Sequence, residues 1–264
     1  MSAFGSTPQG LHALILNLAG VLLRDMPLKV PRYQRPYTWG EREVRQLIQD
    51  LRSAYDRKAP FYFIGTIVLV KNKGKLEISD GQQRLSTLTM LIAYVRDRLP
   101  GRAKMFQGLI MNGDKPRLMM RENDANYFRG FVQDAGKMEE LARQTEFGSD
   151  SKEAMAGAAA TIADEFSETD DRELDAFISY ALRCCTLNVV DADERGCAQT
   201  VFNALNMRGS PLSGADIIKS DLIENAGLSN ADADAAAREW EQTEEKFRRE
   251  DFATLLNMMP FLLN

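Results

Sequence analysis

The 264-residue sequence holds a single histidine, His12, and three cysteines, Cys184, Cys185 and Cys197. A Ser-His-Asp triad, a His-rich zinc site and an HNH-type nuclease centre each need histidines that this chain does not supply. Two of the cysteines are adjacent and their number is odd, so neither a disulfide framework nor a Cys-x-x-Cys metal site follows from them. No apolar run approaches the roughly 20 residues of a membrane helix. A G-x-x-x-x-G-K-S/T phosphate loop is missing too. Chemistry in this chain must therefore run on carboxylates, arginine, lysine and amides. The apolar stretch "LHALILNLAGVLL" lacks the basic leader and small-residue cleavage site of a secretion signal. It reads as a buried first helix over residues 11–24, and the protein is expected to be cytoplasmic, with no membrane partner.

What is present is ordinary for a globular protein: 44% hydrophobic and 27% charged residues. A net charge of −5 argues against a protein that coats nucleic acid nonspecifically. Charge is unevenly spread, however. From Lys29 to Lys58 there are eight Lys or Arg against four Asp or Glu, whereas Glu239, Glu241, Glu244 and Glu245 make a late segment acidic. A basic face on an acidic protein suits a phosphate or a short piece of nucleic acid.

Along the chain, "VPRYQRPYTWGE" is an extended segment stiffened by Pro31 and Pro36. Thr38 and Glu41 have capping-box spacing. Val44, Leu47, Ile48, Leu51 and Tyr55 then recur at helical intervals, predicting a helix over 40–56. "FYFIGTIVLV", "NKG" and "KLEIS" predict a hairpin that ends at Asp80. Leu88, Leu91, Ile92, Val95 and Leu99 mark one face of a following helix, stopped by Pro100-Gly101. Residues 101–150 carry weak periodicity. "SKEAMAGAAATIADEF" and "DRELDAFISYALRC" read as helices, "TLNVVDAD" as a short strand, and helices follow near 194–205, 213–225 and 231–249. The expected fold class is α/β (α+β), with an α/β lobe over residues 1–105 and a mostly helical lobe over 106–264.

Three constellations carry chemistry. At the strand-to-helix junction stand Asp80, Gly81, Gln82, Gln83 and Arg84. Unpaired amides at the helix start, a glycine that admits close approach and a forked guanidinium suit a phosphate. Asp80 suits a Mg²⁺ or an attacking water, and the two glutamines suit a base edge, a ribose or a water. A plain helix start, with Asp80 as N-cap paired to Arg84, explains the same residues. The second group, Arg32, Tyr33, Gln34, Arg35, Tyr37 and Trp39, resembles a stacking and phosphate-contact surface. Aromatics also anchor segments to a core, which divides the roles into one core aromatic and ligand-facing arginines. The third, "VFNALNMRGSPLSGADIIKS", offers Asn206, Arg208 and Lys219 as a secondary polar pocket, while capping explains Gly209, Ser213 and Asp216. In the hairpin, Phe63 and Gly65 are strand residues, and Gly65 is expected to permit close backbone approach.

In this order, "PRYQRPYTW", "FIGTIVL", "DGQQRLSTL" and "FNALNMRGSPLSGADIIK" resemble the N-terminal domain of GmrSD-type restriction endonucleases, the DGQQR family. The resemblance runs from about Val30 to Ser220. It implies a ParB/sulfiredoxin-like core in the first lobe, nucleoside triphosphate hydrolysis, and defence against phage carrying modified DNA. Carried over, Asp80, Gln82, Gln83 and Arg84 are the expected catalytic set. Gly81, Arg84, Arg35 and Gln34 are expected to bind GTP or another nucleoside triphosphate, with Mg²⁺ held by Asp80. Arg32, Tyr33, Arg35, Tyr37 and Trp39 are the DNA-contact candidates. Cleavage in the family resembles HNH chemistry, which this chain cannot perform, since no histidine follows His12. An HNH nuclease domain or a separate subunit is therefore an expected partner, beside nucleotide, DNA and, for self-association, a second copy. Three readings stay open: an NTPase regulatory module, a binding module without turnover, and a ParB-like nuclease. The missing carboxylate cluster for two metals counts against the last.

Overall fold

The structure, a computed structural model, describes residues 10–193 together with Ala235 and Glu239. The candidates Asn206, Arg208 and Lys219, Cys197 and the expected helices near 194–205 and 213–225 lie outside the described residues, as does all of the one near 231–249 except Ala235 and Glu239, which are helical.

The first element is a strand, not the first half of a helix. β1 (Leu11–Asn17) precedes a short α1 (Leu18–Leu22), which Asn17 caps by accepting from the Gly20 amide at 2.8 Å. The expected helix over 11–24 fails because those first seven residues pair, one for one, with a strand near residue 190. A short β2 (Leu28–Lys29) leads through the proline-stiffened segment to α2 (Glu41–Asp56). The capping box sits two residues later than the Thr38 and Glu41 spacing suggested. Gly40 is the N-cap, and the Glu43 carboxylate accepts from its amide at 3.1 Å.

β3 (Tyr62–Asn72) and β4 (Lys75–Asp80) form the expected hairpin, closed by Lys73 and Gly74 at φ 46° and 72°. Then comes α3 (Gln82–Arg98), of which 14 of 17 residues are buried, so it is enclosed on all sides rather than on one face. A 3₁₀ turn, α4 (Ala103–Ile110), the small hairpin β5 (Met111–Asn112) and β6 (Lys115–Pro116), and β7 (Leu118–Met119) follow. α5 (Glu122–Phe128) runs into a π-helical turn, and α6 (Met138–Ala142), α7 (Asp150–Glu165) and α8 (Asp171–Cys184) lead to β8 (Cys185–Ala192).

One mixed sheet organises these elements, in the order β1-β8-β3-β4-β2-β7. β8 lies between β1, antiparallel to it, and β3, parallel to it. Strands from both sides of residue 105 thus share a sheet, and a single apolar core takes in α1 to α8. The fold is mixed α/β, as expected. Buried Arg96 ties the last turn of α3 to the chain that follows, donating to the carbonyls of Val132, Gln133 and Asp134 at 3.0, 3.2 and 3.1 Å. Among the described residues no helix is long and apolar enough to cross a membrane. Cys184 and Cys185 are free thiols, and burial pushes the Cys185 thiol up to about 12.

Candidate functional site

The quoted junction lies where β4 hands the chain to α3. Asp80 ends the strand. Gly81, at φ 95°, is the N-cap of the helix, and a Cβ there would stand 2.5 Å from the Ile67 Cγ2 on the neighbouring strand. The turn is thus open only to glycine on two grounds, backbone conformation and space. Asp80 is not the N-cap. Irregular pairing flanks the same place: β3 slips register against β4 between Val68 and Leu69, and against β8 between Phe63 and Gly65. Such bulges re-aim side chains and recur beside functional sites.

Arg84 points back over β3. Its Nη1 donates to the Thr66 carbonyl at 3.1 Å, and a Cβ on Gly65 would meet its Cζ at 2.9 Å. The close approach expected at Gly65 is therefore made by the Arg84 side chain. Burial lowers the Arg84 pKa, while Asp80 and Tyr62 pull it up. Burial likewise raises Asp80 above its ordinary value, against the opposing pull of Arg84, the Gly81 amide and Arg35. Asp80 and Arg84 thus share a half-buried site in which burial works against the charge of both and each supports the charge of the other.

The glutamines do other work. Gln82 Nε2 donates to the Arg35 carbonyl at 2.6 Å, and Gln83 Nε2 to the Pro36 carbonyl at 2.8 Å. The Gln83 Oε1 accepts from the amides of Thr38 and Trp39 at 2.8 and 3.3 Å. Gln34 Nε2 reaches the Ser79 carbonyl at 2.7 Å. Three amide side chains therefore stitch the segment of residues 34–39, a strap, onto the β4–α3 junction. Both ends of the Gln83 carboxamide are engaged by backbone, which corrects its expected role as a group facing ligand. Tyr37 belongs to the core, buried with its hydroxyl 2.7 Å from the Thr87 Oγ1, and burial raises its pKa. It cannot touch DNA. Arg32 is ion-paired to Glu122 at the start of α5. Tyr33, Arg35 and Trp39 keep partial exposure.

Sequence reasoning missed Thr66, Ile67, Ser79 and Thr87. Only Gly65 signalled that β3 would take part. Among the described residues no three His, Cys, Asp or Glu side chains gather to hold a metal. Asp80 can contribute one hard oxygen ligand, which suits a Mg²⁺ whose other ligands come from phosphates and water.

A search of curated proteins found no match. Residues 18–223 match the family described as GmrSD restriction endonuclease, N-terminal domain, a span that takes in the strap, the Asp80–Arg84 junction and every described strand after β1. The chain belongs to the GmrSD restriction endonuclease N-terminal domain family.

Proposed function

We propose that this restriction-system module is a nucleotide-dependent switch that senses DNA and gates a nuclease carried elsewhere. The observation that supports the reading best is the placement of Arg84, held over the Thr66 carbonyl and Gly65 beside Asp80. Arg84 is pulled out of water beside a carboxylate that burial itself penalises. A triphosphate would give Arg84 a further counter-charge beside Asp80, with Arg35 close enough to join it. The amides of the first turn of α3, at the positive end of a 17-residue helix, would face the same phosphates. Asp80 would hold a Mg²⁺ that arrives with the nucleotide, and that ion would neutralise phosphate charge as the leaving group departs. Tyr33, Arg35 and Trp39 are the strap residues with surface to offer DNA. Because Gln82 and Gln83 grip the strap from the first turn of α3, movement at the nucleotide would reach the DNA-facing segment through those hydrogen bonds. The chain has one histidine, so HNH cleavage requires a further domain or subunit.

A second reading, binding without turnover, is favoured by one observation. The Gln83 amide expected to position an attacking water is fully engaged with the strap.

The test is phosphate release from GTP, ATP, CTP and UTP with Mg²⁺, together with binding of each, for the wild type and Arg84→Ala. Turnover that disappears in a variant with an unchanged melting temperature supports the switch. Binding without release selects the second reading. Wild-type protein that neither binds nor hydrolyses any of the four overturns both.

A further inference from the structure

A second concave surface lies at the opposite end of β4. Lys75 opens the strand that Asp80 closes, so the two places are separated by five residues of extended chain, about 16 Å. Here the β3–β4 turn, the β5–β6 hairpin and the chain between α1 and β2 enclose a cavity of about 430 Å³. That is within the size range of small-ligand sites.

Its charge is one-sided. Arg24, Lys75, Lys115 and Arg117 line it, against the single carboxylate of Asp25. Arg117 is held in place without being neutralised: its Nε donates to the Gly108 carbonyl at 2.7 Å and its Nη1 to the Leu22 carbonyl at 3.4 Å. Arg24 is oriented from behind by buried Asp191, 2.7 Å from its Nη2, while its Nη1 is buried with no acceptor. Among the described residues the Lys75 and Lys115 ammonium groups form no ion pair. Cations on a fold usually disperse or pair. Four converge on this hollow: Arg24 is already paired with Asp191, Arg117 is fixed by backbone carbonyls, and the two lysines have no ion pair among the described residues, which leaves a positive potential that an anion would relieve. Pro27 and Pro116 add apolar wall, suited to a sugar or a base ring rather than to a bare inorganic ion.

We propose that this cavity is a second phosphate-ester site, independent of the Asp80–Arg84 junction, where the fixed Arg24 and Arg117 and the mobile-stemmed Lys75 and Lys115 take a phosphate carrying an organic group. The source is either a free phosphorylated small molecule or a phosphate of a DNA strand. In either case the ligand would sit on the hairpin turn that begins β4, the strand that ends in Asp80.

The test uses the full chain carrying Arg84→Ala, which weakens the junction, with and without Lys75→Glu and Lys115→Glu, so that only the change on charge reversal reports on this cavity. Both lysines lie at the surface, and a melting curve checks that the charge-reversed protein is folded. Ribose 5-phosphate and a short DNA duplex are titrated calorimetrically. Ribose 5-phosphate binding that weakens by about tenfold or more on charge reversal assigns a free phosphorylated ligand. Duplex binding without ribose 5-phosphate binding, weakened in the same way, assigns strand phosphates. Binding of neither probe, or binding equal in the charge-reversed protein, overturns the proposal, whatever happens at Arg84.

Discussion

Replacing Gln83 with leucine tests whether the glutamines of the junction are structural staples. The side chain is 5% exposed and makes three hydrogen bonds to the strap: one to the Pro36 carbonyl and two from the amides of Thr38 and Trp39. A neutral hydrogen bond nets about 1 kcal/mol, and a buried polar group left unpaired costs about 1–3 kcal/mol. Pro36, Thr38 and Trp39 are all partly exposed, so water can recover some of that loss. The expected destabilisation is about 2–3 kcal/mol, or about 4–12 °C in melting temperature for a domain of this size. Tryptic cleavage after Arg32 should quicken at the same time, because the strap opens before the sheet does. Gln83→Glu keeps the acceptor for two amides but sets a carboxylate oxygen against the Pro36 carbonyl in a buried site, so its loss should be at least that of leucine at neutral pH and shrink as acid protonates it. The reasoning is refuted if Gln83→Leu melts like the wild type and is cut no faster. A variant that is stable but no longer binds nucleotide would return Gln83 to the ligand.

Two further outcomes follow from the same junction. Gly81→Ala meets both the left-handed backbone penalty, about 1–2 kcal/mol, and overpacking against Ile67, about 1–3 kcal/mol. Urea unfolding should show the sum, and Ile67→Ala should recover only the steric part. For Asp80, burial raises the native carboxyl above its unfolded value, so the native state holds the proton more tightly. Its contribution favours folding at pH below the unfolded value and is lost as pH rises through the raised native one. Asp80→Asn should flatten that slope in denaturation midpoints taken from about pH 3 to 6, and an unchanged slope would show that the carboxyl is not the group responsible.

Local rules carried the sequence a long way in the hairpin and in α2, where alternation, a turn tripeptide and helical spacing agree with the pairing observed. α8 spans the same residues, Asp171–Cys184, that its periodicity marks out. β1 was not legible. "LHALILN" becomes a strand because β8, more than 170 positions later, offers it an edge, and no local window contains that fact. In α3 the misleading residues were Thr87 and Thr89, which look like an exposed face. Their hydroxyls donate to carbonyls four positions back, at 2.9 and 2.8 Å, and so are buried at little cost. The junction was legible as a tight strand-to-helix handover, since Asp-Gly ends the apolar run of β4 just before helical spacing begins. The division of labour within it was not. An amide that will meet a ligand and one that will meet a backbone carbonyl are the same letter, and only the position of the strap separates Gln83 from Arg84.

The place of β8 has a consequence for synthesis on the ribosome. β1 and β3 are among the first elements to emerge, yet the strand that belongs between them is completed only at Ala192. Until then the nascent chain carries open hydrogen-bonding edges on β1 and β3, with Leu14 and Ile15 uncovered on the first. Closing the sheet is a late event of long sequence separation, hence slow and dependent on protection from neighbouring chains. For a defence module this ties readiness to translation past Ala192: a chain interrupted before β8 cannot complete the sheet on which the Asp80–Arg84 junction rests.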